Sequence, residues 1–580
     1  MLEHWINTAK ADGEVWLDEV CRGCAQMCYS SPAVLEITLF NGKKRAFTRF
    51  FPSCEGEEQL DFVRDYLCAL VFNMLSAIGG SKLTIYYDYS NTALASIVAQ
   101  LDEIFQVSAP VRSGYGKAVS EANRICAYLG LPPFHFEQRN YAQSNIPSAD
   151  NIRRVSGGIA ASLCETAQKA LRGVHCGIDV GGTDIKLALA VNGSLAAVRE
   201  YDWNPAEYAT AEEIIAPILR LTRLMRVCAA QYMHNGQLDA YVEAALDKNA
   251  DDSFVDHVIE NVESQHGERI NMLDSIGLSF PDVVIRDAIV GGETPKTLGL
   301  HRNTAIDYEQ EFAKITRLKT ALEALCREAG HVRVTNDGNI AAYTAAIELA
   351  HSEDRRVIER GVFAHSLGTD LGTGWLDSDG TIPELTLELY DNIVDLGSWP
   401  SCNMPADDLR CVRNENSGLA GARRYMGQAA VFRMACAAAP ELLNGFTETR
   451  DGVLGIRSHP EDMRKPCLEH IMLQAEQGNT AAEDIFRQIG RNLAHISREA
   501  AFLLSPDTNV RFIFGRFVKR PRVFELICEG FNELEPNMQL IPADNDLAYT
   551  PLMRALAAHP DVTVAQFGQA IGAVYYGVSR

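Results

Sequence analysis

The stretch Gly177-Ile178-Asp179-Val180-Gly181-Gly182-Thr183-Asp184-Ile185-Lys186 decides how this 580-residue chain is read. An apolar run over 174–179 ends on a carboxylate, turns at a glycine pair and resumes over 185–191, the pattern of two strands joined by a tight turn. A second turn at Asn192-Gly193 leads into 195–201, so the segment reads as a three-stranded meander. Glycines let backbone amides approach phosphate oxygens, and the Thr183 hydroxyl adds a donor. Asp179, at the strand end, can hold Mg²⁺ directly or through water. A Gly-Gly pair alone serves any hairpin. The flanking strands and Asp179 are what point to a phosphate.

Downstream, residues 206–267 have a helical pattern and look inserted before a short buried strand, 275–280, which Pro281 ends. A strand over 332–335 runs into Asn336-Asp337-Gly338-Asn339, where a helix opens. A carboxylate emerging there can accept a proton from a hydroxyl, with Asn336 positioning the ring that carries it. The competing reading is that Asp337 or Asn339 merely caps the helix. Strands at 361–366 and 374–377 flank Leu367-Gly368-Thr369-Asp370-Leu371-Gly372-Thr373-Gly374, a second backbone cradle for phosphate. Residues 419–504 read as helical, 509–514 as a strand and the remainder to 580 as helices.

Before the meander, Asn41-Gly42 between β-rich runs predicts a hairpin. A helix over 57–77, a strand over 82–87 and helices over 91–105 and 116–129 complete an α/β unit. Residues 1–150 therefore read as a separate domain of unknown role, with 144–156 as a linker. Lobes of 151–340 and 341–580 come after it. Cys21, Cys24 and Cys28 share a helical face with Leu17 and Val20, which favours an apolar stripe over a metal site.

Composition narrows the function classes. Seventy-six acidic against 53 basic side chains give a net charge of −23, a field that opposes a nonspecific grip on nucleic acid or anionic lipid. No apolar run approaches a membrane span and no secretory signal is visible, so the cytoplasm is the expected compartment. Fifteen cysteines, an odd number spread along the chain, favour free thiols.

Over 174–580 the sequence resembles the ROK family of sugar kinases and their relatives, within the actin, hexokinase and Hsp70-like ATPase superfamily. GIDVGGTDIKLALA is similar to the family's first phosphate motif, VTNDGN to its Asn-Asp catalytic motif and SLGTDLGTG to its second phosphate motif. Looser matches keep the family's order: Ile276 to Asp282 at the sugar loop, Glu415 to Ala420, Gln477 to Pro506, and Gln569 to Ala573 in the closing helix. The resemblance implies an α/β, two-lobed actin-like ATPase (ribonuclease H-like) fold with an added N-terminal α/β domain and helical insertions. It implies transfer of the ATP γ-phosphoryl group to a sugar hydroxyl, with Asp337 as base and Asp179 near Mg²⁺. Nucleotide contacts would come from Asp179, Gly181, Gly182, Thr183, Lys186, Gly368, Thr369, Gly372, Thr373, Gly374 and Gly515. Sugar contacts would come from Asn336, Pro281, Asp282 and Glu388.

Three departures bear on this. Asp370 stands where the family has glycine, and either helps bind Mg²⁺ or repels ATP. Phe514-Gly515-Arg516-Phe517 replaces the usual glycine pair, so Arg516 either stacks on the base or fills its space. The family's Gly-Glu-x-Gly-His segment and cysteine-rich loop are reduced to Glu388 and the distant Cys402 and Cys411, so no zinc is expected. A non-catalytic sensor or scaffold is the alternative, and a transcriptional regulator a third reading. The expected partner is a small sugar, without nucleic acid or membrane, and a homodimer is compatible with the resemblance.

Overall fold

The computed structural model describes residues 1–11, 13–144, 158–292, 295–368, 371–397, 421–450, 453–457, 459–543 and 547–579. The chain forms two compact units, Met1–Arg153 with His365–Thr373 and Leu385–Pro542, and Arg154–Ala364 with Gly374–Glu384 and Ala543–Arg580. At the start of the first unit, β1 (Ser30–Thr38) and β2 (Lys44–Pro52) pair antiparallel around the expected turn. Gly42 takes φ +81°, a backbone region glycine enters without steric cost. β3 (Lys82–Tyr87) and β4 (His135–Asn140) complete a sheet ordered β2-β1-β3-β4. The polar strand β4 was not expected, because none of its residues is fully buried and they show no apolar alternation.

In the second unit, β5 (Val174–Val180), β6 (Asp184–Val191) and β7 (Ser194–Asp202) form the antiparallel meander. β8 (Leu273–Phe280) joins β5 in parallel, and after the small hairpin of β9 (Val284–Ile285) and β10 (Ala288–Ile289), β11 (Cys326–Asn336) joins β8 in parallel. The order is β11-β8-β5-β6-β7. Parallel strands need a crossover, and the 206–267 stretch supplies it as the helices Ala211–Asn235, Ala240–Ala244 and Asp252–His266. Thr210 and Glu213 open the first of these with a reciprocal capping box. Ile178, Leu187, Ile218, Leu224, Val258 and Leu278 are among the side chains of the core.

The closing helix Val564–Val578 lies very close to this sheet. Gly177 and Gly277 are register partners on β5 and β8. A Cβ on Gly177 would stand 1.9 Å from the Ala570 carbonyl oxygen, and one on Gly277 1.8 Å from that of Ala573. The first glycine of the quoted motif therefore serves helix-on-sheet packing, while Gly181 and Gly182 make the turn.

The last sheet holds β12 (Val362–Leu367), β13 (Leu371–Leu376), β16 (Val510–Gly515) and β17 (Gln539–Pro542) in the order β13-β12-β16-β17. A separate hairpin of β14 (Thr447–Arg450) and β15 (Val453–Ile456) interrupts the stretch expected to be helical. β17 lies where only helices were expected. Both exceptions are four-residue strands, too short to impose a period on the sequence.

The sequence division at 150 differs from the compact units, which combine Met1–Arg153 with Leu385–Pro542. Several side chains make that union. The Trp16 ring stacks on His495 at 4.2 Å, Asp18 pairs with His495 at 2.7 Å, and Arg49 pairs with Glu499 at 3.1 Å. The Asn73 amide bonds both backbone groups of Ile393, at 2.9 and 2.7 Å. Cys21 and Cys24 are buried on the Leu17–Gln26 helix, as the apolar reading requires, and burial pushes both thiols up to about 12. Cys28 is exposed and lies beyond the helix end. No helix among the described residues is long and apolar enough to cross a membrane.

Candidate functional site

Because β5, β8 and β11 run parallel, their carboxyl ends form one edge. Asp179 and Thr335 are both register partners of Ser279, and Asn336 is the partner of Phe280. The carboxyl edge of such a sheet is where α/β proteins usually bind ligands. Ser279 Oγ donates to Asp179 Oδ1 at 2.8 Å. Burial pushes the Asp179 carboxyl up to about 6, with the neighbouring Asp337 and Asp184 charges adding to the rise. The Ser279 bond and Lys186 oppose it.

Asp337 is the first residue of the Asp337–Ala350 helix, and burial raises its carboxyl above the ordinary range while Lys296 opposes the rise. The helix cap is Asn336, whose side-chain oxygen accepts from Gly338 N at 2.8 Å. Asn339, the other candidate for the cap, instead accepts from Trp375 N at 3.0 Å. The Asn336 amide also donates to the Asp282 carbonyl at 3.0 Å. Asn336 thus fixes the backbone that presents Asp337, and both ends of its amide are engaged within the chain.

The glycine turn is braced from behind. Gly181 N donates to the Asp184 carbonyl at 2.8 Å, and Trp203 donates from its indole to Gly181 O at 3.0 Å and from its backbone to Thr183 O at 3.1 Å. Gly182 and Thr183 remain exposed at the tip. Thr183 Oγ1 lies 3.3 Å from Asp184 Oδ2, and Lys186 pairs with the other Asp184 oxygen. Among the described residues no cluster of three or more acidic, histidine or cysteine side chains forms a complete metal cage. The donors present suit magnesium, which usually binds through one or two carboxylates and draws its remaining ligands from phosphate and water.

Two residues read from sequence have different surroundings from those expected of a sugar contact. Asp282, next to Pro281, is 1% exposed, and its carboxylate accepts from Val283 N at 2.7 Å and Gly292 N at 2.9 Å. It anchors a loop. Glu388 lies in the other unit, buried, with its side chain hydrogen-bonded to Tyr390 and its backbone N donating to Ser76 O at 2.9 Å.

In the first unit, Gly368 and Gly515 come together. Gly515 has φ +100°, and a Cβ there would stand 2.1 Å from the Leu367 carbonyl oxygen. Arg516 N donates to that same oxygen at 3.0 Å, while the Arg516 guanidinium faces Glu469 at 3.8 Å. Gly372 is partly exposed, but Thr373 is turned inward, its hydroxyl 3.2 Å from the buried His365 Nδ1. Gly374 belongs to the second unit, where a Cβ would stand 1.9 Å from the Gly338 carbonyl oxygen, so β13 lies against the start of the Asp337 helix. Thr369, Asp370, Cys402, Cys411 and Glu415 to Ala420 lie outside the described residues, as does most of 144–156.

The meander followed by two parallel strands, in the order β11-β8-β5-β6-β7, is the ribonuclease H-like topology. The second unit carries that α/β topology. No family model matches the chain, and no curated protein matches it. Solved structures similar to it include a ROK family glucokinase from Streptomyces griseus, in complex with glucose and AMPPNP. That structure is 19% identical, with 66% of this chain and 98% of the other covered and a TM-score of 0.37. A ROK family transcriptional regulator, homologous to an E. coli protein, is 13% identical over 70% and 79% of the two chains, with a TM-score of 0.38. A ROK hexokinase from Thermus thermophilus is 15% identical over 70% and 98%, with a TM-score of 0.35.

Sequence reading missed Ser279, Asp184 and Lys296 as members of this site. Asp184 stood inside the quoted motif but resembled an ordinary strand residue. Ser279 lay within the short buried run of β8 without its partner being visible. Lys296 had no local signal: it stands next to Thr297, whose hydroxyl donates to the distant Gly292 carbonyl.

Proposed function

We propose that the chain is an ATP-dependent phosphotransferase acting on a hydroxyl of a sugar or sugar derivative. The observation that carries this reading is the shared carboxyl edge. Asp337 sits at the end of β11, one strand beyond β8 and two from Asp179, with the exposed glycine turn following β5. In this reading the phosphates lie against the turn at 181–183, and Asp179 holds Mg²⁺ through its carboxylate or a bridging water. The metal would neutralise charge on the phosphate oxygens. Asp337 accepts the proton of the attacking hydroxyl. Its raised affinity for a proton brings it toward the working range of a general base, while Asn336 fixes the backbone that carries it.

Asp337→Asn should reduce kcat about 10²–10⁴-fold without altering the far-ultraviolet spectrum or the melting temperature by more than a few degrees. ADP release across a panel of sugars and amino sugars measures this. Undiminished turnover would remove Asp337 from the chemistry.

A second reading, a sensor that has kept the fold without the transfer step, draws on the Arg516–Glu469 pair and the inward Thr373. Titration calorimetry with Mg-ATP separates the two. Binding near or below the millimolar range supports the kinase, and heat indistinguishable from dilution supports the sensor.

A further inference from the structure

The loop after the β9–β10 hairpin is held unusually firmly at one residue. Gly292 donates its N–H to the Asp282 carboxylate at 2.9 Å, and its carbonyl accepts from Thr297 Oγ1 at 2.9 Å and Tyr308 OH at 2.5 Å. The His301 ring nitrogen lies 3.1 Å from the same oxygen and stacks on Tyr308 at 3.8 Å. A side-chain carboxylate, a hydroxyl, a phenol and an imidazole thus converge on the backbone groups of one residue. Such convergence is costly to assemble and, through the Thr297 hydroxyl, ties the backbone at Thr297 to Gly292. Lys296 stands on that backbone, next to Thr297. Its Cε lies 3.8 Å from where a Cβ on Gly182 would stand, and its charge acts on Asp337. The loop therefore sets an ammonium group beside both the tip of the glycine turn and the candidate base.

Lys296 acts on Asp337, and Asp337, Asp184 and Lys186 in turn act on Asp179 of β5. Lys186 is paired with Asp184. Resting on the phosphotransferase reading of this same site, we propose that Lys296 neutralises the phosphoryl group as it passes from the nucleotide on the turn at 181–183 to the acceptor hydroxyl at Asp337. In that step the hydroxyl oxygen forms a bond to the γ-phosphorus of the nucleoside triphosphate. The bond from that phosphorus to the β,γ-bridging oxygen breaks, the nucleoside diphosphate leaves with the electron pair, and the hydroxyl proton passes to the Asp337 carboxylate. Charge spreads over the three equatorial oxygens during the transfer, and a fixed cation between donor and acceptor stabilises that distribution more than it stabilises either ground state.

The test is steady-state kinetics of the full chain and of Lys296→Met, Lys296→Gln and Lys296→Arg, using Mg-ATP and the best acceptor from the sugar panel. The expected result is a kcat about 10²–10³-fold lower in the Met and Gln variants, KM for both substrates within about threefold, and at least tenfold recovery with Arg. A lysine that only balances the carboxylates would move thermal stability and leave kcat alone, and that outcome overturns the proposal. So does a loss confined to KM, or an Arg variant no better than Met. Transfer by the parent that Asp337→Asn abolishes but Lys296→Met preserves overturns this inference alone. Absence of transfer by the parent overturns both it and the phosphotransferase reading.

Discussion

The two glycine hairpins look alike in sequence and differ in what their side chains do. Around Gly181 the turn is braced by Trp203, and Asp179, Asp184, Asp337, Lys186 and Lys296 bring charged side chains near it. Around Gly368 the described side chains turn away. Thr373 bonds the buried His365, Arg516 faces Glu469, and Gly515 is pressed against the Leu367 carbonyl. The first hairpin offers charged side chains and the second offers backbone.

The largest expected effect on this contrast comes from Gly515→Ala. Both its φ of +100° and the 2.1 Å approach to Leu367 O oppose a methyl group. The substitution should cost roughly 2–4 kcal/mol in urea unfolding. A variant as stable as the parent would mean that the second hairpin is not held by backbone packing.

Asp179 sharpens the other side. Burial raises its carboxyl to about 6, so the native state keeps the proton longer than the unfolded chain does. The stability associated with that proton is fully present below the unfolded value of about 4 and is lost as pH rises through about 6. Asp179→Asn should therefore gain stability over the parent between about pH 4 and 7, with the two converging below about pH 4. Melting temperatures across that range, without added magnesium, provide the check. Equal curves at every pH would show that the carboxylate is not penalised by its surroundings. Mg-ATP affinity should rise through about pH 6 in the parent and stay flat in the variant.

The smallest effect is Thr373→Val, which removes the bond to His365 while keeping the side-chain shape. A loss of about 1–2 kcal/mol with unchanged Mg-ATP affinity is expected. A tenfold drop in affinity at unchanged stability would return Thr373 to the nucleotide site.

Most of the second unit's architecture was legible because it repeats a local pattern. The meander shows as apolar runs broken at Gly181-Gly182 and Asn192-Gly193, and β11 is marked by a buried run that stops at Asn336-Asp337. The helix Glu57–Ala77 was readable for the same reason, its length and apolar content leaving no strand alternative. The strands β4, β14, β15 and β17 were not, since they are short or polar and are strands only because a neighbour supplies hydrogen bonds.

Turns, strand ends and helix starts are dictated by residues within a few positions of one another, so the chain alone shows a strand stopping at Asp179-Val180, another stopping just before Asp337, and glycines beside both. Only the tertiary structure decided which way each polar side chain faces. Asp282 closes on Gly292 ten residues away, Ser279 on Asp179 a hundred away, and Asp18 on His495 nearly five hundred away. A carboxylate reads the same in sequence whether it grips a loop, a neighbouring strand or a distant helix. Its partner is chosen by where the backbone brings the nearest unsatisfied donor once the core has formed.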